Sequence, residues 1–355
     1  MNGAERRATA TSVAAAMTRI NRSVAEVGTA VRGRVRSRLR PLGAAGSLPM
    51  DIIDAQHRTV HHLIGTASTL VGHATGAALE RTTGSEAESL FDGPGATDTI
   101  TVAQAAFGDV LPDPLNPQTR LLCKVPAAVP DAPLVVFVHG LGGHQDQFAD
   151  SYLTAFADAG FEVTAARYSS GRPIEGNGRH LADAITRWPR RPRRIVLVGH
   201  SMGGLVISEA LATRPPWIYA VDTVVTLGSP FRGAPLERVA RAALGLGSRF
   251  AAAAPIVALG DHRSTGIKDL GDGTGVGIPP QVRHIAVVAM KGSTRADLTS
   301  VALGDGLVPV YSAAGLNPER SDVIDLPRTG HLDLLRDDTV TDVLRQVSAS
   351  DPASR

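Results

Sequence analysis

The chain has 355 residues, 43% of them hydrophobic and 20% charged, with 36 Lys and Arg against 34 Asp and Glu for a formal net charge of +2. That composition excludes a disordered chain and leaves room for one large α/β domain plus a smaller appendage. Its single cysteine, Cys123, excludes an intramolecular disulfide and a thiolate metal cluster. Within "RLLCKV" it reads as a small buried hydrophobe of a strand.

Residues 1–40 carry nine arginines against Glu5 and Glu26, a charge of +7 that leaves −5 for the remainder. No aromatic residue interleaves with these arginines, so nucleic acid is not an expected partner. Thr18 and Arg19 interrupt the apolar run a secretory signal would need, and "FAAAAPIVAL" at 250–259 is too short to span a bilayer. A cytoplasmic protein is expected, with a lipid-surface association if the N-terminal segment provides one.

Val13, Met17, Ile20, Val24, Val27, Val31, Val35 and Leu39 fall on one helical stripe, which "RPLGAAGSLP" ends. A second stripe follows the N-cap candidate Asp51, with Ile53, Val60, Ile64, Ala67, Val71, Ala74 and Ala78. Residues 1–82 thus read as a helical hairpin whose stripes pack on each other or on the main domain, or serve a homo-oligomer or a lipid surface. His57 and His61 are spaced i, i+4 but lack a third ligand, so no metal is expected there. Residues 83–100 read as a small, polar linker ahead of a main domain at 101–350.

From there apolar runs alternate with helical stretches: "LLCKV" (121–125), "LVVFV" (134–138), "FEVTAA" (161–166), "RIVLV" (194–198), "VDTVVTL" (221–227), "HIAVVA" (284–289) and "DVIDL" (322–326). Such alternation predicts a mainly parallel sheet with helices on both faces. The basic run "RRPRR" at 190–194 should be a solvated surface on the edge away from any site following the strands.

"IVLVGHSMGGLV" at 195–206 ends an apolar strand in G-x-S-x-G and continues into a helical stretch over 202–213. In that setting Gly199 and Gly203 clear the space for a sharp turn that lifts Ser201 off the sheet as a nucleophile. A serine at neutral pH needs a base and a group that orients the base, here in the order Ser, acid, His. His331 in "GHLDLL" follows the last strand and is the base candidate. His200 is expected to point elsewhere on the turn, and His262 and His284 precede the strand that should carry the acid. Of the two similar acids, Asp305 in "GDGLVP" follows strand 284–289 and is preferred, whereas Asp272 in "GDGTG" precedes it. Asp325 and Asp333 are weaker alternatives. "VHGLGG" at 138–143 would supply an oxyanion hole from the N–H groups of Leu141 and Met202, each such donor being worth about 3 kcal/mol in measured cases. His139 would shape that loop without acting as a base.

On "HGLGG", "GHSMGG", "GDGLVP" and "GHLDLL", the chain resembles, over about residues 100–348, an α/β-hydrolase of the lipase/esterase superfamily. "TLGSPFRGAP" at 226–235 and "SSGRPIEGNGRHLADAI" at 169–185 resemble segments of bacterial lipases and GPI inositol-deacylase-like hydrolases. Phe231 stands where many lipases have His. The resemblance implies a serine hydrolase acting on small-molecule or lipid esters through an acyl-enzyme, with Ser201, His331 and Asp305 in the three roles. A thioesterase or acyltransferase would use the same residues, and a non-catalytic scaffold or lipid-surface protein would use the N-terminal helices. The insertion at about 231–283 would be a cap, its Leu236, Val239, Ala243 and Leu244 forming an apolar face. "HGLGG" lacks the lysine of a P-loop and the full G-x-G-x-x-G spacing, so no cofactor is expected.

Overall fold

The computed structural model describes Ala4, Arg7, Ala8, Ala10, Thr11, Thr101, Gln104, Ala105, Gly108, Asn116 and residues 118–235 and 264–350. Apart from those first five positions, which are helical, the predicted hairpin lies outside the described residues, as do the 83–100 linker and 236–263 of the predicted cap. The chain divides into two compact units, and the larger one spans Thr97–Val110, Asn116–Val257 and Arg263–Arg355.

All seven expected strands form: β1 Arg120–Val125, β2 Leu134–Val138, β3 Glu162–Arg167, β4 Ile195–His200, β5 Val221–Leu227, β6 Arg283–Met290 and β7 Ser321–Pro327. They make one sheet in the order β1-β3-β2-β4-β5-β6-β7, with β1 antiparallel to β3 and every other pair parallel. The continuous apolar runs have their cause here. Every residue of β2 and of β4 is buried, because helices cover both faces. Leu134, Val136 and Val138 enter one core while Val135 and Phe137 enter the other, as the alternation of a strand dictates.

Seven helices are described: α1 Asp150–Ala157, α2 Ile174–Thr186, α3 Met202–Ala212, α4 Thr265–Asp272, α5 Leu298–Leu303, α6 Val310–Ala313 and α7 Asp338–Ala349. Leu181 of α2 and Leu205 of α3 belong to the first core, and Tyr152 of α1 and Leu344 of α7 to the second. The Tyr152 hydroxyl donates to Leu334 O (2.8 Å) and accepts from the Asp337 N–H (2.8 Å), so α1 grips the loop that precedes α7.

Two surface expectations are corrected. Cys123 is exposed, because β1 is an edge strand with a partner on one side only and a half-exposed pattern. In the basic run, Arg191 and Arg193 are exposed but Arg194 is not a solvated cation. Its guanidinium pairs with Asp222 (2.9 Å), donates to Val347 O (2.7 Å) at the C-terminal end of α7, and lies 5.1 Å from the Phe161 ring centroid. Helix-terminal carbonyls, a carboxylate and an aromatic face suit the planar, multi-donor arginine.

Candidate active site

The strand order reverses between β2 and β4, since β3 lies on one side of β2 and β4 on the other. In open α/β sheets the crevice outside the carboxyl ends at such a point is where ligands bind. The loops leaving β2 and β4 carry "HGLGG" and "SMGG".

Ser201 links β4 to α3 with φ 54° and ψ −123°, a conformation that a side-chain-bearing residue rarely adopts. The flanking glycines make it attainable. A Cβ on Gly203 would stand 2.1 Å from Val138 O, and one on Gly199 would stand 2.6 Å from Gly204 N. The Ser201 N–H donates to Leu227 O (2.8 Å), which ties the turn to the end of β5.

Asp305 follows β6 through α5, and His331 follows β7. The two are buried together, with His331 Nδ1 2.6 Å from Asp305 Oδ2, and the His331 N–H donates to Asp305 O (3.1 Å). Asp305 Oδ1 accepts from the N–H groups of Leu307 (2.9 Å) and Val308 (2.8 Å). Burial pushes the Asp305 carboxyl upward, yet the His331 charge and hydrogen bond and the Val308 and Leu307 N–H groups outweigh it and hold the group below its ordinary value. An ionised Asp305 accepts only, so Nδ1 of His331 bears the proton and Nε2 is the basic atom. The pair lies over Gly228 at the end of β5, where an added Cβ would be 3.1 Å from Asp305 Oδ2 and 3.3 Å from His331 Nδ1.

The loop after β2 rests on the serine, since a Cβ on Gly140 would lie 3.0 Å from Ser201 Cβ. Two residues leaving β3 brace this loop. The Tyr168 hydroxyl donates to His139 O (2.6 Å) and its ring stacks on His139 at 4.1 Å, while the Gly142 N–H donates to Ser170 Oγ (3.0 Å). Tyr168 and Ser170 escaped the sequence reading, because no local pattern links residue 168 to a loop about thirty positions earlier. Among the described residues nothing accepts from the Leu141 N–H. Met202 opens α3, so its N–H has no acceptor within the helix. His139 is buried, which lowers its pKa to about 4 and keeps it neutral beside the loop.

His200 turns to the loop that follows β7. Its ring is buried against His331, with centroids 4.8 Å apart, and its Nε2 is 3.1 Å from His331 O. The reason is packing: His200 ends β4 and its side chain lies beneath the loop that follows β7. Of the other acids, Asp272 ends α4 ahead of β6, Asp325 within β7 pairs with Arg295 (2.7 Å), and Asp333 Oδ2 accepts from the Gly330 N–H (2.8 Å). Phe231 is buried against His284, their rings 5.6 Å apart and tilted edge to face. Among the described residues no group of three or more His, Cys, Asp or Glu is arranged to hold a metal ion, and no helix is long and apolar enough to cross a membrane.

Residues 170–294 match the family described as "PGAP1-like alpha/beta domain". Among solved structures, the mature form of the lipase BlEst2 from Bacillus licheniformis is 19% identical with a TM-score of 0.45, over 64% of this chain and 97% of that one. A lipase-esterase related protein from Clostridium acetobutylicum is 14% identical with a TM-score of 0.42, over 65% and 98%. An esterase from Exiguobacterium antarcticum is 16% identical with a TM-score of 0.41, over 65% and 95%. No curated protein sequence matches the chain. With a mainly parallel seven-stranded sheet and helices on both faces, the chain has the α/β-hydrolase fold, and the PGAP1-like match covers part of it.

Proposed function

We propose that this protein is a serine hydrolase that cleaves carboxylic esters through an acyl-enzyme on Ser201. The observation that carries the reading is the buried 2.6 Å contact between His331 Nδ1 and Asp305 Oδ2, at the same edge of the sheet as a serine held at φ 54°. In this reading Nε2 of His331 takes the Ser201 hydroxyl proton as Oγ attacks the ester carbonyl. The resulting oxyanion is stabilised by the N–H groups of Leu141 and Met202. Collapse expels the alcohol, which leaves with the proton from Nε2. Water then repeats the sequence on the acyl-enzyme and frees the acid.

Asp305 keeps its charge throughout; it fixes the His331 tautomer and stabilises the imidazolium. The apolar stretch within residues 231–283 points to an acyl chain or another apolar group in the substrate. Residues 1–82, with two apolar helical stripes and an excess of arginine, are proposed to serve assembly or lipid association and not the chemistry.

Turnover of short- and long-chain nitrophenyl esters, measured beside acyl-CoA with the wild type and Ser201→Ala, tests the reading. Ester hydrolysis that vanishes in the variant supports it; equal turnover by both proteins refutes it. Faster acyl-CoA cleavage would move the assignment to a thioesterase.

A further inference from the structure

His200 is not absorbed by the mechanism, although it adjoins the serine and contacts the histidine. Its Nε2 lies 3.1 Å from the main-chain oxygen of His331, and a carbonyl only accepts. Nε2 therefore carries the ring proton and Nδ1 is bare. The bare Nδ1 is buried with no hydrogen-bond partner, on the side of Gly140, whose added Cβ would lie 3.1 Å from it. The ring thus sits between the loop after β2 and the loop after β7, 4.8 Å from the His331 ring at an interplanar angle of 44°.

A leucine or phenylalanine would fill this space without a buried, unpartnered nitrogen, so packing alone does not account for histidine here. What histidine adds is a donor on a rigid ring, aimed at the backbone of residue 331.

We propose that His200 is a positioning residue, which holds the His331 main chain through its Nε2–H and thereby sets the reach of the His331 imidazole toward Ser201. This rests on the assignment of His331 as the base. The geometry suits a neutral group at this point. Of the titratable groups that face it, His331 gains a proton during turnover, Asp305 carries a negative charge, and His139 is held neutral. Burial, with the neighbouring His331 next, lowers the His200 pKa to about 3. His200 therefore stays uncharged when His331 becomes an imidazolium, and adds no repulsion to that step.

The test compares His200→Phe, which keeps an aromatic ring and loses the donor, with His200→Gln, which keeps a donor of similar reach. For His200→Phe, kcat on nitrophenyl acetate should fall roughly 10- to 100-fold, the scale on which misplacing a reacting group by about an ångström acts. KM should stay within about twofold, as expected when the loss is confined to the transition state. His200→Gln should recover most of kcat. Fluorophosphonate labelling of Ser201 should slow in parallel with kcat.

Wild-type kcat in His200→Phe overturns the proposal, as does a loss in His200→Gln equal to that in His200→Phe with both proteins folded. Should His200→Phe not fold, His200→Asn, whose amide is too short to reach the same carbonyl, replaces it in the comparison. Ser201→Ala, run alongside, separates the two failures. If it is inert while His200→Phe is unimpaired, only the positioning role falls; if it turns over normally, the hydrolase reading falls first.

Discussion

Gly203 lies so close to Val138 that a Cβ on the glycine would stand 2.1 Å from the Val138 carbonyl oxygen. This contact joins the first turn of α3 to the end of β2, and it lets Ser201 and the loop after β2 share one space. Because the obstacle is backbone, Gly203→Ala forces β2 and α3 apart. The expected cost is about 1–3 kcal/mol of stability, read from chemical denaturation, together with a loss of the proposed esterase activity larger than the unfolded fraction explains.

Tyr168 and Ser170 hold the loop after β2 at two points, His139 O and the Gly142 N–H. Tyr168→Phe leaves a buried carbonyl without its donor, a loss of about 1–3 kcal/mol in stability. If Leu141 donates to the oxyanion, Tyr168→Phe and Ser170→Ala should each lower kcat by about tenfold, less than the 10²–10³ of deleting such a donor outright. Binding of a boronic acid transition-state analogue should weaken in parallel. Binding of a substrate-like amide should not.

Asp305→Asn tests the orienting role. The amide presents an N–H or a neutral oxygen to His331 Nδ1, so the tautomer with a basic Nε2 is no longer enforced. If the proposed triad operates, a drop of about 10⁴ in kcat is expected with the fold intact, the scale of the corresponding Asp-to-Asn change in a serine protease. Circular dichroism with steady-state kinetics checks both halves.

Acid should destabilise the protein through its buried imidazoles. Burial lowers His139 and His284 to about 4 and His200 to about 3, all below the ordinary histidine value. The unfolded chain then binds protons that the folded chain refuses. Their contribution is intact above about pH 6.5 and is lost as pH falls from there toward 4, at about 1.4 kcal/mol per pH unit for each imidazole. Asp305 acts at lower pH: its depressed pKa gives stability present above the ordinary carboxylate value and lost as pH falls through the folded one. Denaturation midpoints measured at pH 7.5, 6 and 5 should decline below 6.5, and a flat series would contradict the assignment.

The strands were legible in the sequence because covering both faces of a parallel sheet demands unbroken apolar runs, which "LVVFV" and "IVLV" supply. Asp305 and His331 could be ordered along the chain because each follows a recognisable strand. The direction of a side chain was not legible. His200 adjoins Ser201, but nothing local says that its ring turns beneath the loop carrying residue 331. Cys123 and Arg194 were misread for a related reason: sheet order puts β1 at an edge and brings the end of α7 to the start of β4, and both are long-range facts. The helical stripes of 1–82 lie largely outside the described residues.

The most direct test of the central claim is covalent labelling with a fluorophosphonate, followed by peptide mass mapping. The account predicts one adduct, on the peptide containing Ser201, absent from Ser201→Ala and strongly slowed in His331→Ala. Equal labelling of the wild type and Ser201→Ala, or no labelling of a folded wild type, would contradict it.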